Sequence, residues 1–304
     1  MEDLPPNHYD TPDKGAQTGG AMPEIPELET IARVFNDRIQ GQRIAGAVVR
    51  IPVVVRRPPV PEFIALLTGN RAGKTTRYGK YVLLTLESGH VLAINLMLTS
   101  RLQLVHEKTR LPGRTSWVIT FEGGDELRFF GERLDGRVYL VGINELSLIP
   151  QFGAMGPDAL DPALTFDVFR QRLRKFPGQI KNSLVSGKLV AGIGNAYVDE
   201  LLWEARVYPF APGRELTPEQ VRALYDAIGK TYAWAVPTAA AEMGEAIETK
   251  VRDFLRVHRK GGQPCPRCGN TITEVTPNQR ITSYCRHCQG AGRLIDGKTT
   301  ALHS

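Results

Sequence analysis

Four cysteines carry the clearest chemical pattern in this chain. They form two pairs, Cys265 with Cys268 and Cys285 with Cys288, each with two residues between the thiols and with 16 residues between the pairs. A two-residue gap lets both thiolates reach one metal ion, and the alternating sequence between the pairs predicts a hairpin that brings them together. Four thiolates in a tetrahedron indicate one structural Zn²⁺. The alternatives are two disulfides, which the lack of a secretory signal disfavours, or an iron–sulfur centre, whose spacing usually differs.

Basic side chains surround this cysteine hairpin. Arg280 falls in its loop, and Arg267, Arg286 and His287 lie close to the cysteines. Because four thiolates already close a zinc site, we expect His287 at the surface and not on the metal. The basic residues predict a ridge that grips phosphates, and the alternative is a solvated basic hairpin without a ligand.

The charge of the chain is distributed unevenly along its 304 residues. The formal net charge is +6, but residues 1–22 contribute −3 from one lysine and four acids, so residues 23–304 carry +9. Residues 251–304 alone carry nine Lys or Arg and three acids, a net of +6. A basic end of this kind suits a polyanion such as nucleic acid. No apolar run of membrane-spanning length and no secretory signal is present, so we expect a cytoplasmic protein that uses no membrane.

A helical pattern begins abruptly in the stretch "AMPEIPELETIA" at residues 21–32. Pro26 suits a first helical turn, and Leu28, Ile31 and Phe35 recur at the spacing of one apolar helix face. Residues 1–22 are acidic, contain three prolines and lack this pattern, so we expect them to be disordered.

Apolar patterning divides the remaining chain into an α+β arrangement. Short β-type runs separated by turn signals follow the first helix and predict an antiparallel sandwich or barrel. Helical periodicity takes over after residue 165, including a helix that begins at Thr217 with a capping box completed by Gln220. The predicted parts are a β domain at 23–145, a linker at 146–164, a helical domain at 165–260, the zinc finger at 261–290 and a tail at 291–304.

Four stretches in fixed order resemble the formamidopyrimidine-DNA glycosylase / endonuclease VIII family. They are "MPEIPELE" from Met22, "GPDAL" at 156–160, "IKNSLVSGKLVAGIGNAYVDELLW" at 180–203 and the zinc hairpin ending "YCRHCQ". The resemblance covers residues 22 to about 290, nearly the whole chain apart from the extension. It implies a β-sandwich with one leading helix, a helix–two-turn–helix domain with a zinc finger, and a cleft between them for double-stranded DNA that contains a damaged base or an abasic site.

The resemblance also implies which residues perform the chemistry. In the family the initiator Met is removed and the following proline, here Pro23, becomes the N-terminal nucleophile. A free N-terminal proline is a secondary amine, which can attack C1′ and leave a Schiff base, whereas proline within a chain is an unreactive tertiary amide. Residues 1–22 are therefore expected to be absent from the active enzyme. Glu24 is then the proton donor, Lys80 assists β-elimination from a strand-like run, and Arg280 contacts the phosphate that leaves in δ-elimination.

Further positions are implied to contact DNA. Lys181 and Asn195 correspond to a phosphate-gripping pair, and Gly194 lets the backbone approach a phosphate at a helix N-terminus. Leu98 corresponds to the apolar wedge that fills the gap left by the flipped nucleotide, and Arg133 faces the orphaned base.

The sequence departs from the family at the wedge. Where typical members carry an Arg–Phe pair, this chain has "GERLDG", so that Asp135, which cannot stack, stands in place of the phenylalanine. Some stretches favour the formamidopyrimidine branch and others the endonuclease VIII branch, so the lesion and the base opposite it remain open.

We therefore predict a monomeric base-excision repair DNA glycosylase with AP lyase activity on oxidised bases. Two other hypotheses keep part of this description. A non-catalytic damage-binding protein, with its proline blocked by the extension, would retain the fold and the zinc. A zinc-ribbon module for other nucleic acid would not need Pro23, Glu24, Lys80 and Arg280 together.

Overall fold

The computed structural model describes residues 22–290 and two short strands at 294–295 and 298–299. The predicted disordered extension up to residue 21 and most of the predicted tail lie outside the described residues. The helices are α1 Ile25–Arg38, α2 Val60–Leu67, α3 Phe166–Leu173, α4 Ile180–Val185, α5 Asn195–Glu204 and α6 Pro218–Met243. The strands are β1 Ile44–Val49, β2 Val55–Arg57, β3 Ala72–Tyr78, β4 Tyr81–Leu86, β5 His90–Asn95, β6 Ser100–His106, β7 Thr115–Phe121, β8 Asp125–Gly131, β9 Arg137–Gly142, β10 Thr273–Val275, β11 Thr282–Tyr284, β12 Leu294–Ile295 and β13 Lys298–Thr299.

Two sheets form the predicted sandwich. One has the order β1-β7-β8-β6 and the other β2-β9-β5-β4-β3, and every pairing in them is antiparallel except that of β2 with β9. Strand residues on the inner faces alternate with outward ones, as the period of a β-strand requires. The inner faces supply a single apolar core that α1 completes, with Trp117 stacked on Phe129 at a centroid distance of 5.4 Å.

The sandwich domain contains a second helix that the sequence analysis did not predict. It is α2, which has Pro61 in its first turn and buries Phe63 and Leu67, one turn apart, in the sandwich core. The predicted leading helix is α1, and α2 is an additional helix within the sandwich. The apolar run before α2 resembles a strand, and only the spacing of the two buried residues distinguishes the helix.

The segment after β9 covers the outer face of the five-stranded sheet. Ile149 is buried there and Phe152 and Met155 pack beside it, with Phe152 5.4 Å from the rings of both Tyr78 and Tyr81. The residues predicted as a linker therefore contribute packing as well as connection.

Helices α3 to α6 build a second core, and the two domains exchange elements across their junction. Ile25 of α1 belongs to the helical core, while Met243 at the end of α6 and Ile247 beyond it belong to the sandwich core. The predicted cap of α6 is present, because the Thr217 side chain accepts a hydrogen bond from the N–H of Gln220. Exchange of buried side chains in both directions fixes the two domains relative to each other.

Candidate active site at the domain junction

The N-terminus of α1 meets the N-terminus of α5 at the junction of the domains. Pro23 and Glu24 immediately precede α1 and are both buried, Glu24 with 2% of its surface exposed. The Glu24 carboxylate accepts hydrogen bonds from the backbone N–H groups of Ala196 (3.0 Å) and Tyr197 (3.2 Å) in the first turn of α5. A helix N-terminus favours a negative charge, so α5 binds the carboxylate as it would bind an anion.

Gly194 has a different partner from the one expected. A Cβ at this position would lie 2.1 Å from Cδ of Glu24, so the missing side chain makes room for the carboxyl group. The anion at this helix N-terminus is the Glu24 carboxylate. The phosphate contact predicted for Gly194 stays a prediction, and its observed contact is to Glu24.

A partly buried arginine lies between two carboxylates at this site. Arg252 donates to Glu27 (Nε to Oε1, 3.0 Å) and contacts Glu24 (Nη1 to Oε1, 3.4 Å). Burial opposes ionisation of Glu24, yet Arg252, Lys80 and the two N–H groups of α5 outweigh it and lower the pKa of that carboxyl. Burial raises the pKa of Glu27, and the charge of Glu24 adds to this against the opposing effect of Arg252. Of the two carboxyls, Glu24 is the one whose ionised form the site favours.

The third bond of Arg252 reaches the residue in front of the candidate nucleophile. Its Nη2 donates to the carbonyl oxygen of Met22 at 2.7 Å. In the extended chain this carbonyl belongs to the amide that contains the Pro23 nitrogen. The guanidinium thus lies beside the position where a free Pro23 amine would be generated.

Lys80 lies in the tight turn between β3 and β4, and not in a strand as the sequence suggested. The turn begins at Gly79, whose φ of +58° is a left-handed conformation that glycine adopts without strain. Burial lowers the pKa of the Lys80 ammonium, Glu24 opposes the shift, and the charges of Arg252 and Arg280 add to it. The structure therefore brings Lys80 into one electrostatic site with Glu24 and Arg280.

A buried ion pair anchors this turn to the helical side of the chain. Arg77 donates to Asp158 (Nη2 to Oδ1, 2.6 Å), and the same carboxylate accepts the N–H of Gly79 at 2.8 Å. Arg77 also donates to the carbonyl of Gly79 at 3.0 Å and to Glu29 at 2.8 Å. Asp158 belongs to the "GPDAL" motif, so that motif fixes the peptide group immediately before Lys80.

The four cysteines converge as the spacing predicted. Their sulfur atoms all lie within 4.8 Å of one another, with Cys265 and Cys288 3.9 Å apart and Cys268 and Cys285 3.5 Å apart. These separations exceed a disulfide bond of about 2.05 Å and suit thiolates about 2.3 Å from a shared tetrahedral ion. Trp203 donates its indole N–H to Cys265 at 3.3 Å, and Asn270 donates to Cys268 at 3.5 Å. The cysteine set fits one structural Zn²⁺, with outer donors that stabilise thiolates.

Buried acids of α5 hold the finger against the helical domain. Asp199, with 0% exposure, accepts from Lys181 at 2.7 Å, from the N–H of Ser283 at 3.1 Å, and contacts His258 at 2.7 Å. Glu200 accepts the backbone N–H groups of residues 256, 257 and 258 at 3.1, 2.9 and 2.9 Å. Together the two acids position β11 and the segment that leads into the finger.

Lys181 and Asn195 contact the finger in the structure. The Lys181 ammonium donates to Asp199, to the carbonyl of Ile281 (2.8 Å) and to the hydroxyl of Thr282 (2.8 Å), which uses all three of its protons. Asn195 donates to the same Ile281 carbonyl at 2.9 Å. The phosphate-binding role of this pair stays a prediction, because the observed contacts place both side chains on the backbone next to Arg280.

Two basic residues near the cysteines have different surroundings. Arg280 is exposed, whereas Arg267 packs on a tryptophan and does not join a basic ridge. Arg280 follows the hairpin loop, and with Lys181 and Thr282 it lines a cavity of about 280 Å³ between the finger and α4. Arg267 instead lies over the Trp203 ring, 3.9 Å from its centroid, and donates to the Trp203 carbonyl at 2.7 Å. The expected ridge was wrong in this respect, because a guanidinium that stacks on a buried indole gains packing as well as a hydrogen bond.

The predicted wedge lies on an exposed turn between β5 and β6. Leu98 is 41% exposed, and Arg133 is also exposed on the neighbouring loop, where its N–H donates to Thr99 at 3.2 Å. Asp135, in the position of the family's phenylalanine, accepts the N–H of Leu98 at 3.0 Å. A carboxylate therefore holds the wedge turn at the position where the resemblance implies a stacking group.

Several residues of the site were not found by sequence reasoning, namely Glu27, Arg77, Asp158, Asp199, Glu200 and Arg252. One signal was available. Glu27 follows Glu24 by three residues and lies among the apolar positions of α1, so an acid on a buried face demanded a cationic partner. The identity of that partner, 225 residues away, was not encoded in any local pattern.

Comparison with known proteins defines the class of this molecule. The profile of the formamidopyrimidine-DNA glycosylase N-terminal domain matches residues 22–138, that of the H2TH domain matches residues 155–246, and a zinc finger found in FPG and IleRS matches residues 262–290. The order of these three parts is the order of the sandwich, the helical domain and the finger. The class is that of the two-domain DNA glycosylases with a helix–two-turn–helix and a zinc finger.

Relatives and solved structures agree with this class. The chain is 31% identical over 273 residues to a formamidopyrimidine-DNA glycosylase of Pelotomaculum thermopropionicum, covering 88% of this chain and 99% of the relative, and 33% identical to that of Chloroflexus aurantiacus, covering 88% and 98%. The Lactococcus lactis enzyme bound to FAPY-dG-containing DNA superposes with a TM-score of 0.80 at 27% identity, covering 88% of this chain and 99% of the other. The chain belongs to the formamidopyrimidine-DNA glycosylase family.

Proposed function

We propose that this protein is a base-excision repair DNA glycosylase with AP lyase activity that removes oxidised bases, with Pro23 as its nucleophile. The observation that carries the proposal is the buried Glu24 carboxylate, which directly follows Pro23 and is kept ionised among Arg252, Lys80 and two N–H groups of α5. A nucleophile next to an ionised carboxylate and a lysine with a lowered pKa is suited to amine attack followed by proton transfer.

The proposed chemistry begins at a free Pro23 amine. Its nitrogen forms a bond to C1′ while the electron pair of the glycosidic bond leaves with the base, and the new ammonium passes its proton to the Glu24 carboxylate. Glu24 then gives this proton to O4′ as the C1′–O4′ bond breaks, which leaves a Schiff base. Because Glu24 is ionised beforehand, it acts first as acceptor and then as the donor that the resemblance implies.

Strand cleavage follows from the Schiff base. Loss of a proton from C2′ expels the 3′-phosphate, and we assign assistance in this β-elimination to Lys80, whose lowered pKa favours the neutral amine. Arg280 is exposed beside this site, and its charge is felt by both Lys80 and Lys181. We assign it to the phosphate that leaves in δ-elimination.

The remaining parts of the proposal concern the substrate and the setting. The relatives are formamidopyrimidine-DNA glycosylases, and solved neighbours bind DNA that contains FAPY-dG or an abasic site. We propose duplex DNA with such lesions as the substrate, a monomer as the active form and the bacterial nucleoid as its place of work. No helix in the described part of the chain is long and apolar enough to span a membrane.

The extension defines a second candidate function. In the 304-residue chain the Pro23 nitrogen is an amide, and Arg252 holds the Met22 carbonyl at 2.7 Å. That form would bind damaged DNA without catalysis. We propose that the active form begins at Pro23, which the family match starting at residue 22 supports.

A panel of duplexes with single defined lesions tests the function. A chain that begins at Met22, with the Met removed, is expected to excise FAPY-dG and to cleave abasic sites. Tight binding to these duplexes with no product from any of them would contradict the glycosylase and support the binding protein.

A further inference from the structure

The wedge turn is held at both peptide groups of Leu98. Its N–H donates to Asp135 at 3.0 Å, and its carbonyl accepts a hydrogen bond from the Lys250 ammonium, also at 3.0 Å. Lys250 is 152 residues away, in segment 244–258 between α6 and the finger, so the contact crosses the domain junction. Asp135 is a carboxylate and Lys250 carries a positive charge when protonated, and charge-assisted hydrogen bonds are the strong ones.

Two observations show that this turn needs to be held. Met97 has a φ of 51°, a left-handed conformation that is strained for a residue with a side chain and persists only where neighbours enforce it. Leu98 directs an apolar side chain towards solvent with 41% exposure, although folding back onto the surface would remove it from water. The extended position is thus maintained by the bonds to its backbone.

Asp135 is bound firmly enough to serve as one side of the support. It accepts hydrogen bonds from the hydroxyls of Thr99 (2.8 Å) and Ser100 (3.2 Å) as well as from Leu98. Burial raises the pKa of Asp135, but these donors outweigh it and lower the pKa overall, so the group remains a carboxylate. Gly131 and Gly136 pack its loop tightly on Ser100, since a Cβ at either would lie within 2.8 Å of that residue.

Lys250 connects this turn to the buried acids of the candidate active site. It precedes Arg252 by two residues, and Arg252 binds Glu24 and Glu27. The segment is also tied to β6, because Gln103 donates to Glu248 at 3.2 Å. A movement of the segment on binding of a lesion would therefore reach the wedge through one hydrogen bond.

We propose that Asp135 and Lys250 form a clamp on the Leu98 peptide groups, and that Lys250 is a positioning residue that holds the wedge ready to enter the duplex at the lesion. Asp135 stands at the position where the family resemblance implies a phenylalanine. This inference rests on the proposed function, since it assigns a role within damage recognition.

The charges around Lys250 make its bond to Leu98 depend on pH, which gives the proposal a second measurable property. Burial and the charges of Arg101 and Arg252 lower its pKa to about 7, against the opposing charges of Glu27 and Asp135. Above that pH the amine loses its charge and the bond to Leu98 weakens. Clamping is therefore strongest below pH 7 and declines as pH rises through this value, whereas an arginine at the same position would stay charged.

Wedge insertion is measurable without catalysis, in the full 304-residue chain, with 2-aminopurine placed beside a tetrahydrofuran abasic analogue. Lys250→Met is expected to slow the stopped-flow fluorescence step about ten-fold, the effect of losing one charge-assisted hydrogen bond. Lys250→Arg is expected to retain the rate and to lose the decline between pH 6 and 8. Lys260→Met is the matched control, because it removes the same charge and one bond to a backbone carbonyl, that of Asp253 at 3.1 Å.

Asp135→Asn is a second variant, which alters the bond to the Leu98 N–H instead of the bond to its carbonyl. Zinc content and thermal unfolding show whether each variant is folded. An insertion rate for Lys250→Met equal to that of Lys260→Met overturns the clamp and leaves the proposed function intact. A full chain that gives no fluorescence change with the abasic analogue, relative to undamaged duplex, contradicts damage recognition and the clamp together.

Discussion

Glu24 combines two roles that depend on the same hydrogen bonds. The N–H groups of α5 hold its carboxylate, and this contact both joins the domains and sets the ionisation of the proposed acid–base group. Replacement by glutamine would preserve much of the shape while removing the charge. A change at this position therefore separates chemistry from architecture.

Glu24→Gln is expected to lower single-turnover base excision about 100-fold, because the amide can neither take the proton from Pro23 nor return it to O4′. Affinity for the lesion duplex should change only a few-fold. Glu62→Gln is the matched control, since Glu62 is exposed on α2. An excision rate within two-fold of the wild type would show that Glu24 is not the acid–base group.

Gly194→Ala tests the placement of Glu24 from the opposite side. The added methyl would lie 2.1 Å from Cδ of Glu24, so the carboxyl must move away from Ala196 and Tyr197. We expect a loss of about 1–3 kcal/mol in the free energy of unfolding, the usual result of overpacking, with a marked loss of excision. Gly153→Ala, where a Cβ meets no atom within 4 Å, is the control. Equal unfolding curves and equal rates for both variants would contradict the contact.

At the scale of elements, α5 organises the site through its N-terminus and through two buried acids on its side. Its N-terminus binds Glu24, and Asp199 and Glu200 bind the finger and the segment before it. The placement of the finger, and of Arg280 on it, therefore depends on these buried contacts as well as on the zinc hairpin. Lys181 contacts the finger in the structure, and its contact with a DNA phosphate stays a prediction.

Lys181→Met separates these two roles. As a support for the finger, its loss leaves the buried Asp199 short of a partner and should lower the free energy of unfolding by about 3 kcal/mol. As a phosphate contact, its loss should reduce the slope of log affinity against log salt by about one. We expect Lys181→Met to lower the free energy of unfolding and to leave the salt slope unchanged. Lys188→Met, which replaces an exposed lysine nearby, is the control and should change neither quantity. A reduced slope with normal stability would reverse the assignment.

Elements with local patterns were predictable and contacts between distant elements were not. The cysteine spacing located the zinc site, and the capping box located the start of α6, because each depends on residues a few positions apart. The helix α2 was missed because its short apolar sequence is compatible with a strand. The contact of Glu24 with α5 spans 172 residues, and Arg267 on Trp203 spans 64, so both arise from packing that no local pattern specifies.

At the scale of the whole molecule, the core residues exchanged between the two domains form a frame that fixes the domain junction. Ile25 anchors α1 in the helical core, and Met243 and Ile247 anchor segment 244–258 in the sandwich core. Pro23, Arg252 and the wedge turn are all attached to these exchanged pieces. This frame is formed with Met22 still attached, and that bond makes the Pro23 nitrogen an amide.

Borohydride trapping tests this claim most directly, because reduction converts a Schiff base into a stable covalent complex. A chain that begins at Pro23 is expected to trap abasic DNA, whereas the 304-residue chain, verified intact by mass, is expected to bind the same DNA without trapping it. Pro23→Gly in the shorter chain keeps a free terminal amine and should retain partial trapping, which distinguishes the terminal nitrogen from Lys80. Equal trapping by the intact 304-residue chain would show that Pro23 is not the nucleophile and would contradict the mechanism.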